Sequence, residues 1–114
     1  MKFWIFESNL MWSSRLLQSL RGLGHEASVQ SSAPEDELAD GAIINLGDPK
    51  AQFLVPDLKQ LGVFVIAHAG HKEKELLELG KDLEVDRLAT NSELTYKLPQ
   101  ILEELRNHIQ LSLE

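Results

Sequence analysis

The sequence predicts a doubly wound α/β domain, a parallel sheet with helices on both faces. Three observations carry this. Short apolar runs alternate with segments of helical periodicity along the whole chain. Two of the runs, Ala42 to Leu46 and Val63 to Ala67, are apolar with almost no polar alternation, as strands buried on both faces are. Each of these two ends in a loop signal, Gly47-Asp48-Pro49 and His68-Ala69-Gly70-His71. Strand and helix in strict alternation give a parallel sheet joined by right-handed crossovers.

Taken in order, Phe3-Trp4-Ile5-Phe6 reads as a buried first strand whose end carries Glu7 and Ser8 into a loop. Asn9 is placed to cap a helix in which Leu16, Leu17, Leu20 and Leu23 recur at helical spacing, closed by Gly22 and Gly24. His25 to Val29 is half polar, as suits an edge strand. Pro34 to Ala39 has a proline at a first-turn position with acids behind it, which predicts a short second helix. The central strand, Ala42 to Leu46, leads to Ala51–Leu61, where Phe53, Leu54, Leu58 and Leu61 keep helical spacing. Pro56 predicts that this helix begins near Val55 or is distorted there. Glu73 to Gly80 gives a further helix, and Val85 to Ala89 a last strand. Thr90-Asn91-Ser92-Glu93 has capping-box spacing and opens one long amphipathic helix on Leu94, Leu98, Ile101, Leu102, Leu105 and Ile109.

Composition removes several functions. The 114 residues make one domain, large enough to bury roughly two-thirds of its unfolded surface without a staple. There is no cysteine, so disulfides, thiolate catalysis and cysteine-held metals are excluded, and a cytoplasmic location is allowed. Eighteen acidic against eleven basic residues give a net charge of −7, which disfavours nucleic acid as a partner. No apolar run approaches the ~20 residues that cross a bilayer, so a membrane partner is not expected, and the start reaches Glu7 too soon for a signal peptide. The chain is therefore expected to begin at its first strand.

Ligands of an open parallel sheet bind where strands end. Glu7, Ser8, Asn45, Asp48, His68 and His71 all fall at such ends. Five alternating units at this spacing resemble the receiver domains of bacterial two-component response regulators. The landmarks are Glu7-Ser8 through Leu23-Gly24-His25, Ile43-Ile44-Asn45-Leu46-Gly47-Asp48-Pro49, and Ile66-Ala67. The resemblance implies a flavodoxin-like, five-stranded parallel sheet in the order 2-1-3-4-5.

Receivers carry an acidic pair after the first strand, a phosphoryl-accepting aspartate after the third, a hydroxyl after the fourth and a lysine after the fifth. By position these fall on Glu7 and Ser8, Asn45, Ala67 and Thr90. An acyl phosphate needs a carboxylate nucleophile, which the Asn45 amide does not supply. Mg²⁺ wants two or more carboxylates, and here one acid is Ser8. Ala67 lacks a hydroxyl and Thr90 lacks a charge. The resemblance thus implies a pseudo-receiver that acts by protein–protein contact, with another protein or with a second copy of itself as a homodimer. It implies no enzymatic activity and no cofactor. The segments Ala67 to Leu77 and Val85 to Ser92 are also similar to a group of short receiver-like bacterial proteins, in which His71 and Ser92 are the matching residues.

Other readings compete at the same residues. His68 and His71, with Glu73 and Glu75 beyond, would hold a divalent metal if they converged with Glu7, Asn45 and Asp48. Against this, His68 closes a strand and His71 faces solvent. That cleft is also the place for a small-ligand sensor, the main alternative to the interaction reading. His71 acting as base on Ser92 or Thr90 is a further candidate, with no third group to orient the imidazole. Trp12 lies off the leucine stripe near the carboxyl edge, so an exposed, partner-binding ring is one reading; Trp4 reads as core. In receivers the helix after the fourth strand, the fifth strand and the last helix form a dimer surface. Glu75, Glu78, Arg87 and Lys97 are the charges there that would pair across a two-fold axis.

Overall fold

The computed structural model describes residues 1–113 and shows a five-stranded, all-parallel sheet flanked by helices. The elements are β1 (Lys2–Phe6), α1 (Leu10–Gly22), β2 (Glu26–Val29), β3 (Gly41–Asn45), α2 (Ala51–Gln60), β4 (Phe64–Ala69), α3 (Lys74–Asp82), β5 (Arg87–Thr90), α4 (Asn91–Tyr96) and α5 (Leu98–Leu113). The strand order is β2-β1-β3-β4-β5, so β3 is central and the half-polar β2 is an edge. The topological switch lies between β1 and β3, which is where such a sheet opens a crevice at its carboxyl edge.

The period of two along each strand divides the core into two layers. Phe3, Ile5, Ile43, Ile66 and Ala89 face α1, α4 and α5, meeting Leu16, Leu20, Leu94, Ile101 and Leu105. Trp4, Phe6, Ala42, Ile44, Val65, Ala67 and Ala69 face the other way, onto Leu54, Val55 and Leu58 of α2 and the partly buried Leu76 and Leu77 of α3. Every residue of β4 is buried, so its unalternated apolar character follows from having both faces covered.

Four expectations are corrected. Residues 34–39 form no helix; the Gln30–Asp40 connection runs through bends and irregular chain. Its only large apolar side chain, Leu38, is exposed, and a six-residue segment with no apolar face to bury does not repay helix nucleation. The connection is instead tied at its ends, Gln30 N–H donating to Ile5 O at 2.9 Å and Asp40 N–H to Lys2 O at 2.9 Å. The second helix, α2, begins at Ala51 and runs through Pro56. A proline there costs about 3 kcal/mol, while burial of Leu54, Val55 and Leu58 stabilises by about 1.5–3 kcal/mol each. The fourth strand continues to Ala69, so His68 belongs to the sheet and not to the following loop. The long terminal helix is two helices, parted at Lys97 (φ −119°, ψ 20°), because the Pro99 ring would meet the Thr95 carbonyl in a continuous helix. Pro99 sits instead in the first turn of α5, where no N–H is required. Among the described residues no helix is long and apolar enough to cross a membrane.

Candidate functional site

Parallel pairing of β1 with β3 sets Phe6 beside Ile44, which brings the next residues, Glu7 and Asn45, together at the carboxyl edge. Asn45 Nδ2 donates to Glu7 Oε1 at 2.9 Å and to Oε2 at 3.3 Å, while its Oδ1 accepts from Gly47 N–H at 2.8 Å. The Gly47 contact fixes which way the amide faces. Asn9 N–H donates to Glu7 Oε2 at 3.3 Å, and Asn9 Oδ1 caps α1 by accepting from Trp12 N–H at 3.1 Å. The Glu7 carboxylate, 6% exposed, is thus held by N–H groups of two neutral residues. Among the described residues no Lys, Arg or His forms an ion pair with it.

His68 is the β4 neighbour of Asn45 in the sheet register and is 1% exposed. Its Nδ1 lies 2.7 Å from Asn91 Oδ1, and Nε2 has no partner among the described residues. Burial pushes the His68 pKa down, against the opposing effects of the Asn91 bond and the Glu7 and Glu73 charges. Because the Asn91 Oδ1 can only accept, the proton of this bond sits on His68 Nδ1. The His68 ring packs 6.0 Å from the Trp12 ring at 35°, and the Arg15 guanidinium stands 5.9 Å from the other partner of that stack, the Trp12 ring. Trp12 is half-buried, packed against the core layer that faces α1, α4 and α5. Trp4 is fully buried, as the sequence implied.

The remaining candidates separate. Ala67 is buried in the layer beneath α2 and α3, on the sheet face opposite His68, so it does not reach the cleft. The residue beside Asn45 at that edge is His68. Thr90 spends its hydroxyl on a capping box: Oγ1 accepts from Glu93 N–H at 3.1 Å and Glu93 Oε1 accepts from Thr90 N–H at 3.0 Å. That backbone bond, with help from Arg87, holds the Glu93 carboxyl below its usual range against a smaller opposing effect of burial. His71, Ser92, Glu75 and Lys97 are exposed. His71 is thus solvent-facing, whereas His68 is buried. Glu73 Oε1 accepts from Gly70 N–H at 2.8 Å and shapes the turn after β4. Arg87 is committed within the chain, to Glu104 at 2.8 Å and to Glu93 at 3.6 Å, and Glu78 lies 3.5 Å from Lys81.

A trough of about 380 Å³ opens beside Glu7. Phe6, Val29 and Leu54 give it apolar walls, and Leu10, Ser8, Ser31, Asp48 and Lys50 line it too. Asp48 accepts from Lys50 N–H at 2.9 Å where the chain turns into α2. Among the described residues no three His, Asp or Glu side chains converge as a metal site. The donor set fits the Mg²⁺ of receivers poorly as well. Asn45 presents N–H donors toward Glu7, where a hard cation needs oxygen.

Sequence reasoning missed Asn91, read only as part of a cap, and the trough walls Leu10, Val29 and Leu54. The polar Asn at a strand end was the available signal for the first. Nothing local marks the second, because the walls come from separate segments.

No family model matches the chain, and no curated protein matches it by sequence. Its fold has many solved counterparts. The receiver domain of the TMAO respiratory system response regulator TorR superposes with a TM-score of 0.74 at 17% identity, covering 96% of each chain. A CheY-like receiver domain protein from Methanospirillum hungatei gives 0.73 at 17% identity, over 94% of this chain and 97% of that one. A structure described as belonging to a novel family of redox sensors in the streptococci, evolved from two-component response regulators, gives 0.78 at 14% identity over 98% of this chain and 54% of its own. With its sheet order of 2-1-3-4-5, the chain has the fold of a response-regulator receiver domain.

Proposed function

We propose that this chain is a receiver-like signalling protein of the bacterial two-component type that does not accept phosphate and works in the cytoplasm through contact with another protein, without enzymatic activity of its own. One observation carries the reading. At the strand ends where receivers gather carboxylates, the Asn45 amide is hydrogen-bonded across to Glu7. An amide is not a phosphoryl nucleophile, and this one already ties β1 to β3, a bridge that needs no cation. The hydroxyl and lysine positions support the same conclusion: Ala67 is buried and has no hydroxyl, and Thr90 carries no charge and is bound in a cap.

A receiver fold can serve other ends, as the streptococcal redox sensors show for themselves. Thiol redox chemistry is not open to this chain, which has no cysteine. The alternative, a small-ligand or divalent-metal sensor centred on Asn45, His68 and His71, draws less support, because His68 is enclosed while His71 faces solvent.

Incubation with acetyl phosphate and Mg²⁺, read by intact mass, tests the proposal. The expected spectrum is unchanged. A stable one-phosphate increase mapped to the cleft would overturn it.

A further inference from the structure

We infer that the trough between β1, the Gln30–Asp40 connection and α2 is a docking groove for a Lys- or Arg-bearing amphipathic segment of a partner protein. The inference deepens the interaction reading above and rests on it.

In a parallel sheet the crossover link between consecutive strands is usually a helix lying on the sheet. The Gln30–Asp40 connection is not helical, and beside it Val29 and Leu10 are 45% and 81% exposed. Phe53, on the adjoining α2, is 68% exposed. The groove so formed has a mixed lining. Phe6, Val29 and Leu54 make an apolar wall, and Glu7 and Asp48 supply two carboxylates on the same lining.

The chemistry of the occupant follows from the charge. Glu7 is nearly fully buried, and its hydrogen bonds come from neutral Asn45 and Asn9. A buried carboxylate without a counter-charge is costly, and among the described residues neither Glu7 nor Asp48 has an ion pair. The buried His68 makes no ion pair with Glu7, and burial pushes its pKa down against the opposing effects of the Asn91 bond and the Glu7 and Glu73 charges. Lys50 lines the same trough, is exposed, and forms no ion pair among the described residues. A Lys or Arg side chain matches this lining along its length, its stem against Phe6 and Leu54 and its head at Glu7 and Asp48. The net charge of −7 steers a basic partner in and opposes a second copy of this chain. An amphipathic helix is the element that offers apolar and cationic side chains on one face at the spacing a short groove accepts.

The probe is a synthetic amphipathic helix of leucines and lysines, titrated into the protein with amide NMR as the readout, alongside the same peptide with glutamate for lysine. The lysine peptide is expected to move the amides of Phe6, Ser8, Leu10, Val29 and Ser31, and the glutamate peptide to move none. Ser31→Trp fills the groove from an exposed position, and Glu7→Gln removes the buried charge. Each is expected to weaken the lysine peptide about tenfold, a change of about 1.4 kcal/mol, with a folded amide spectrum in both variants. Shifts spread over the acidic surface, or equal affinity in both variants, overturn the inference. So do the same amide shifts produced by Mg²⁺ alone, which make a cation the occupant, or by concentrating the free protein, which make it a second copy. Phosphate transfer is read separately by mass, so a failed groove leaves the non-phosphorylated reading standing, and a phosphorylated cleft sinks that reading whatever the peptide does.

Discussion

Replacing Asn45 by aspartate would put a second negative charge against a carboxylate that is 6% exposed, in place of an amide donating to both of its oxygens. The lost bond to a charged acceptor costs about 1.5–3 kcal/mol. Two carboxylates that separate to about 4 Å repel by about 4 kcal/mol at an effective dielectric of about 20. The ceiling is therefore about 5.5–7 kcal/mol at pH 7, against about 5–15 kcal/mol for the stability of a whole domain. The pair relieves part of this by sharing a proton, which raises its folded pKa above the unfolded value. Stability tied to a raised pKa is present at low pH and lost as pH rises, so the deficit of Asn45→Asp shrinks as the solution is acidified toward pH 5. Urea unfolding followed by circular dichroism across that range is the assay, with Asn45→Ala as the variant that loses the bond without adding the charge. Excess Mg²⁺ is expected to restore stability to Asn45→Asp and not to the parent. An Asn45→Asp protein as stable as the parent at pH 7 without divalent cation, or a deficit insensitive to acid, would refute the account of the Glu7–Asn45 bridge. Phosphate acceptance is not expected to return with this single change, because Ser8, the buried Ala67 and the capping Thr90 are unaltered.

Two further outcomes follow from the packing. Burial holds the His68 pKa below its unfolded value, so the unfolded chain takes up a proton first; stability is expected to be level above about pH 6.5 and to fall below it. His25 is shifted down by burial as well, so the comparison of His68→Gln with the parent isolates the His68 share; an unchanged pH profile in that variant would place the effect elsewhere. Gly41→Ala is expected to destabilise by about 1–3 kcal/mol in thermal melts, because the added Cβ would lie 2.7 Å from Phe3 Cε1 and 2.9 Å from Leu105 Cδ2. Gly22→Ala, whose Cβ meets nothing within 4 Å, is the control, and equal melts for the two would contradict the fit of α5 against β3.

The strands, the capped ends and the doubly wound architecture were legible in the sequence because each has a local cause. Unalternated runs such as Phe64 to Ala67 need two covered faces, Asn9 and Thr90 satisfy helix N–H groups a few residues away, and alternation with helical segments leaves few topologies. The positions of Glu7 and Asn45 at strand ends were legible for the same reason. What local pattern could not decide was any outcome set by competition with distant groups. Whether Pro56 stops a helix depended on how much α2 buries, and whether residues 34–39 coil depended on there being no apolar face to bury. The extra two residues of β4 depended on pairing with β3 and β5, and that pairing decided the fate of His68, turning a loop imidazole into a buried neutral one facing Trp12 and Asn91. The sequence determined by itself which groups stand at the carboxyl edge of the sheet. Only the tertiary structure decided that Glu7 is buried beside an apolar trough, its charge met by amides alone, because burial and counter-charge are properties of the assembled surroundings and not of any one segment.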